Sequence, residues 1–418
     1  MNALNSPCSR RGLMRSGLVA GAALAAVPLV TRAAGGHGPA RVTPMPDAAL
    51  AAANLDFAFR LQGTVMGNGT PSNLLLSPLS VSIALAMVLN GARGSTRQAI
   101  ASALGLRAMT TADLNRANSG LLAGLSARDP KVQLEIADSL WQRQDLALLP
   151  AFVAAVGKAY GAVPTRLDFS DPRAPGVINA WVSKHTHGLI AKIIDQIPPE
   201  MVLFLVNALY FKGPWSAPFD PSATAPGPFN LQDGSAVKVP MMTQSGRFAY
   251  TRQPGYQAIS LPYGSGRYGM YLFLPDQSSS LRAFLSGLTA RSWTSMIAGL
   301  SPQRGTMSMP KFNLHYTTTL NSALSTLGMG IAFDAQRADF SAMARGPRLA
   351  ISEVRHATVM QVDEQGTKAA AVTSVGIRAT AIQVDNSFTM TINRPFFCAI
   401  RDETTGTLLF VASVADPR

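Results

Sequence analysis

From Phe229 to the C-terminus, short strand-patterned runs follow one another closely, and this succession limits the fold more than any other feature of the chain. The runs are Ala236–Met242, Gly246–Thr251, Gln257–Pro262, Gly269–Leu274, Thr306–Phe312, Leu349–Val362, Thr389–Ile392, Phe396–Arg401 and Leu408–Val414. One helical stretch, Thr318–Leu327, interrupts them and ends at Gly328. Upstream the balance reverses. Asp47 to Gln62 carries helical apolar spacing, and Ser77-Pro78 opens an apolar helix that runs to Leu89. Ser77 can cap that helix, and Pro78 falls where a missing N–H costs nothing. Ser95 to Leu104, Pro150–Tyr160 and Pro175–Ile194 also read as helices, and Val132–Trp141 and Val202–Phe211 as strands. No repeat and no linker divides 47–418, so the expectation is one large α+β domain.

Composition supports a packed domain: of 418 residues, 47% are hydrophobic and only 14% are charged. Ser9-Arg10-Arg11 precedes the apolar run Leu18 to Val30, followed by Ala33 and Ala34, the layout of a signal peptide of twin-arginine type over 1–34. Residues 35–46 read as a flexible lead-in. The protein is therefore expected to be exported, to the periplasm or beyond. With Arg10, Arg11, Arg15 and Arg32 in the leader, the formal charge of +13 leaves +9 on the remainder. That excess admits a polyanion partner. No basic run is interleaved with aromatics, so no specific nucleic-acid site is expected. Cys8 lies in the leader and Cys398 is the remaining thiol, so no disulfide within the mature chain is available.

Patterns for ordinary catalysis are missing. Gly264-Ser-Gly-Arg-Tyr-Gly269 matches the dinucleotide fingerprint but lies between two candidate strands, so a hairpin loop is expected. No Gly-x-Ser-x-Gly elbow occurs. His185 and His187 lie in a helical stretch without Cys or carboxylate companions, and His315 falls in a turn, so neither a metal nor a cofactor is expected. His356, inside a strand, has no recognisable nucleophile partner, and a Ser/His hydrolase is the least favoured reading.

The segment Glu364 to Ala381 is unusual. It is too poor in large side chains to anchor a core, yet too apolar for an ordinary surface loop. Read with period two, one face is Thr367, Ala369, Ala371, Thr373 and Val375, all small or β-branched. Such a face can slide between two strands, and Gly366 supplies a hinge. A Gly/Ala-rich linker explains the composition equally well.

The order of motifs across 47–418 resembles the serpin family. The resemblance rests on Asn73–Val88 with Gly91 to Thr96, on Ile178–Val182, on Val206–Trp215, on Pro310-Lys-Phe312, on Ala338–Ser341 and on Arg394–Phe397. It implies a main sheet A of five strands that accepts a sixth, two further sheets, eight or nine helices and a reactive loop over about 364–386. It also implies a metastable monomer, not an enzyme, that a serine protease attacks as substrate. The acylated protease is then carried roughly 50 Å as about fifteen residues insert as a strand. By position, the resemblance makes Glu364, Gly366, Thr367, Ala369, Ala370, Ala371 and Thr373 the hinge of the loop. Ser77, Ser80, Asn207 and His356 become the polar cluster beneath the opening strands, and Trp215 the residue where insertion begins. The scissile bond falls at Thr380-Ala381, suited to an elastase-like or subtilisin-like protease, with Arg378 the alternative for a trypsin-like one. A non-inhibitory serpin, carrier or chaperone-like, is the competing reading. Its hinge would carry bulky or charged inward residues, and Lys368 departs from the acidic residue common there.

Overall fold

In the computed structural model, residues 47–67, 73–126, 129–198, 201–346, 348–367 and 387–418 are described. In chain order the first half contains α1 (Ala48–Met66), β1 (Leu74–Leu76), α2 (Pro78–Leu89), α3 (Gly94–Ala103), α4 (Thr111–Ser126), β2 (Gln133–Arg143), α5 (Pro150–Tyr160), β3 (Thr165–Leu167), α6 (Ala174–His185) and β4 (Leu203–Pro214). The second contains β5 (Ala225–Asn230), β6 (Ala236–Gln253), β7 (Tyr256–Tyr263), β8 (Tyr268–Pro275), α7 (Leu281–Ser286), α8 (Ala290–Ala298), β9 (Ser301–Pro310), β10 (Phe312–Thr319), α9 (Asn321–Leu324), β11 (Arg355–Asp363), β12 (Gly366–Thr367), β13 (Phe388–Thr391), β14 (Phe396–Asp402) and β15 (Leu408–Val414).

Two sheets organise the α+β fold. One has the order β10-β11-β12-β4-β2-β3, which is five strands plus the two-residue β12. The other has nine strands, β1-β15-β14-β8-β7-β6-β9-β13 with β5 on β6. The 18-residue β6 pairs with β5, β7 and β9 and so joins the two further sheets into one hydrogen-bonded surface. The smaller sheet is covered on both faces. Leu205, Leu209 and Phe211 of β4, with Met360 and Val362 of β11, enter the main core. Phe204, Val206 and Ala357 form a second cluster with Ile178 and Val182 of α6. Double coverage is why β4 reads as an almost unbroken apolar run.

Several expected boundaries are corrected. The helix expected to reach Ile194 stops at His185, because His187 and Gly188 adopt positive φ of 51° and 80°. His315 lies in β10, not in a turn, since that strand continues to Thr319. The expected single late helix is instead short α9 followed by a π turn over Ser325–Met329, and α7 and α8 also interrupt the strands. α4 was not anticipated, and the strand expected from Leu349 begins at Arg355. Gly264–Arg267 is the β7–β8 hairpin loop, as the flanking strand patterns indicate. Among the described residues no helix is long and apolar enough to cross a membrane. The leader and lead-in, 1–46, lie outside the described residues.

Candidate functional site: a hinge between two parallel strands

β4 and β11 run parallel and bridge directly at Leu205–Val354. At the other end β12 lies between them and pairs antiparallel with both: Thr367 with Val362 and Gly213, Gly366 with Asp363 and Pro214. Among the described residues no other backbone pairing links β4 to β11. The sheet is thus joined directly at one end and wedged by two residues at the other, with no ladder between β4 and β11 among the described residues in between.

The plug is held by specific contacts. Gly366 has φ of 145°, and a Cβ there would lie 2.1 Å from the Gly213 carbonyl oxygen, so only glycine fits. The Thr367 hydroxyl meets the Tyr263 hydroxyl at 2.6 Å, facing the main core. Tyr263 is fully buried, and burial pushes its phenol well above the ordinary value. Asp363 Oδ1 accepts the backbone N–H groups of Gln365 (2.9 Å) and Gly366 (3.2 Å), closing the turn. Trp215 adds two bonds: its indole N–H donates to the Asp363 carbonyl at 2.9 Å and its backbone N–H to the Gln365 carbonyl at 2.9 Å. The indole stacks on Tyr263 with centroids 4.4 Å apart. Glu364 accepts from the Thr224 hydroxyl at 2.8 Å and pairs with the Lys311 ammonium at 2.9 Å. Burial works to raise its pKa, but the Lys311 and Thr224 bonds and a backbone bond outweigh it and hold the carboxyl below its usual range. Tyr263, Thr224, Lys311 and Asp363 were not anticipated as site residues. Lys311, inside the Pro310-Lys-Phe312 motif, and Thr224, in the stretch that follows Trp215, belong to the motifs that carry the family resemblance.

Below the open part of the sheet, three expected residues meet. The Ser77 backbone N–H donates to His356 Nε2 at 3.0 Å, and the Ser77 hydroxyl to the Ser80 hydroxyl at 2.8 Å. His356 is 1% exposed, and burial lowers its pKa to about 4, so at neutral pH it is an uncharged acceptor. Thr358 joins from the same face of β11, donating to the Leu75 carbonyl at 2.8 Å. The backbone of Asn207 pairs with Asp138 on β2, while its side chain lies outside the described residues, as do Lys368, Ala369, Ala370, Ala371, Thr373, Arg378, Thr380 and Ala381.

Other candidates dissolve. His187 does have a carboxylate companion, Glu135 Oε1 at 2.9 Å, because the left-handed turn after α6 swings it toward β2. Among the described residues no three His, Cys, Asp or Glu side chains cluster as metal ligands would. Cys398 is fully buried, and burial raises its thiol to about 12, which leaves it protonated and inert.

The architecture defines a class: a two-sheet α+β domain in which a two-residue strand wedges between two parallel strands of one sheet. A family model described as Serpin (serine protease inhibitor) matches residues 52–417, and the chain belongs to the serpin family. Serpin A3-2 of Bos taurus is 33% identical over 88% of this chain and 89% of its own length. Among solved structures, the thermophilic serpin Tengpin in its native state superposes with a TM-score of 0.82 at 33% identity, over 88% of this chain and 95% of Tengpin. Thyroxine-binding globulin in complex with thyroxine gives 0.80 at 26% identity, over 88% of this chain and 99% of that one. Members of the family are inhibitors or carriers, not enzymes, and the inhibitors act on proteases.

Proposed function

We propose that this chain is an exported suicide-substrate inhibitor of serine proteases that traps an acyl-enzyme by inserting its cleaved loop between β4 and β11. The observation that carries the reading is β12, two residues of the loop's upstream arm already paired with both walls of the open sheet. Continuing the same antiparallel register brings Ala369 opposite Met360 and Phe211, and Ala371 opposite Thr358 and Leu209. Thr373 then comes opposite His356 and Asn207, and Val375 opposite Val354 and Leu205. Val375 arrives where Leu205 and Val354 now bridge, so residues up to Ser374 fill the open part and further insertion must break that bridge.

The inward residues match what the walls offer. Thr367 faces the main core, and period two puts Ala369, Ala371 and Thr373 on that face, where small side chains add no steric conflict. Thr373 would add a hydroxyl beside His356, whose neighbours Ser77 and Ser80 can re-pair as the strands part; this is the role given to the Ser77, Ser80, Asn207 and His356 cluster. Trp215, bonded to both Asp363 and Gln365, marks the start of insertion. With ladder bonds at ~0.5–1.5 kcal/mol each on two edges, the gain is on the order of 10 kcal/mol. That is ample to distort a bound protease, since catalysis tolerates only ångström-scale misplacement.

The scissile bond is assigned to Thr380-Ala381, favouring elastase-like or subtilisin-like targets, with cleavage after Arg378 by a trypsin-like protease second. The carrier reading draws on the likeness to thyroxine-binding globulin, but the small inward face of the hinge weighs against it. The test is to mix the protein separately with pancreatic elastase, subtilisin and trypsin. A denaturant-resistant adduct, with a released C-terminal peptide beginning at Ala381, is expected with the first two. Complete cleavage with no adduct by any of the three would remove the inhibitor reading.

A further inference from the structure

Next to the hinge lies a cavity of about 1180 Å³, bounded by the last turn of α4, the start of β2 and the end of β4. Its volume lies just above the range of about 300–1,000 Å³ typical of small-molecule sites, so it has room for one such ligand. Leu125, Val132, Trp215 and Tyr268 give it an apolar lining, and Gln365 of the hinge turn contributes to its wall.

The ionisable groups of this cavity are not equivalent. Asp129 is buried and already satisfied: it accepts the Ser265 backbone N–H at 2.8 Å, the Ser265 hydroxyl and the Lys131 backbone N–H. Its charge is also felt by the Arg267 guanidinium. Glu135 accepts from the Gln133 amide at 2.6 Å and meets His187 Nε2 at 2.9 Å. Lys131 and Lys212 differ, for among the described residues neither ammonium has a carboxylate in ion-pair range. Lys212 faces Gln133 across the β2–β4 register, and Lys131 stands in the turn that leads into β2, its backbone N–H on Asp129 Oδ1. The carboxylates are therefore engaged within the protein, while two cations next to an apolar lining are not.

We infer that this cavity binds a small organic anion, its apolar body against Trp215 and Tyr268 and its carboxylate or sulfonate between Lys131 and Lys212. The inference stands on the cavity's own geometry and does not require the chain to inhibit a protease. A charge-assisted bond to each lysine supplies the selectivity for charge.

The test is a titration of the intact chain with 1-anilinonaphthalene-8-sulfonate, followed by energy transfer from tryptophan. One saturable site per chain is expected. The Lys131→Gln/Lys212→Gln double variant should weaken it on the order of ten-fold or more, and the uncharged N-phenyl-1-naphthylamine should show no such site. A second measurement needs no substitution: decanoate should displace the probe from the unaltered chain and decanol should not. Equal affinity in the double variant, or equal competition by decanol, would overturn the inference.

Discussion

His356 shows how one residue couples the sheet to its surroundings. Its Nε2 accepts from the Ser77 N–H, so protonation removes an acceptor and leaves a charge without water around it. The folded-state pKa, about 4, lies below the ordinary value near 6.5. The unfolded chain therefore binds more protons between these two values. The stability from a neutral His356 is fully present above about pH 6.5, declines as pH falls, and is lost below about 4. Two and a half units correspond to about 3 kcal/mol. Urea unfolding at pH 7 and pH 4.5 should show most of this loss in the native chain and a smaller one in His356→Gln. An equal loss in both would show that other groups control the acid response. The pairing itself was beyond sequence reasoning: Ser77 and His356 are 279 positions apart, and nothing local to either names the other. Gly366 was legible as permissive backbone. That only glycine fits became visible once the Gly213 carbonyl stood against it.

Among the elements, β12 carries the functional argument, and its register makes a sharp prediction. If the proposed insertion continues the register of Gly366 and Thr367, Ala371 would come opposite Thr358 and Leu209 on the inner face and should not tolerate charge. Lys368 would come opposite Gln361 and Lys212 on the other face and should tolerate it. Ala371→Glu is expected to leave loop cleavage intact and lower the ratio of covalent adduct to cleaved product by roughly ten-fold or more, because an unpaired carboxylate cannot enter the core while deacylation continues. Lys368→Glu is expected to keep its adduct. Gel densitometry after reaction with elastase measures both, and a matching loss in the two variants would show that the register is wrong. Other elements teach where the sequence reading stops. α4 repeats apolar residues at Leu114, Ala117, Leu121 and Leu125, with Thr110 capping Asp113, and that signal was available. α7 and α8 are only six and nine residues long, too short for periodicity to stand out, and their caps at Ser280 and Thr289 are their clearest marks. The end of α6 depended on His187 in a left-handed conformation that its residue type does not demand.

For the whole molecule, the proposed insertion predicts a change in stability without any change in composition. A strand added between β4 and β11 gains ladder bonds on both edges, on the order of 10 kcal/mol in total. The loop-cleaved chain should therefore unfold at a temperature higher by roughly 10 °C or more than the intact one. Calorimetry before and after cleavage by a protease that forms no adduct measures this, and an unchanged or lowered midpoint would rule out insertion. The late succession of strands, the apolar runs of a doubly covered sheet and the small period-two face of the loop are local properties, so the sequence alone determined them. It determined in the same way that this is a large α+β chain with a segment of small, alternating residues, the composition on which the proposed insertion rests. Only the tertiary structure decided that Thr367 meets Tyr263, that Glu364 is held by Lys311 and Thr224, and that Lys131 and Lys212 flank one cavity with no carboxylate in ion-pair range among the described residues. Such contacts join residues up to 140 positions apart. Closure of the sheets sets their register, and no periodicity along the chain encodes that distance.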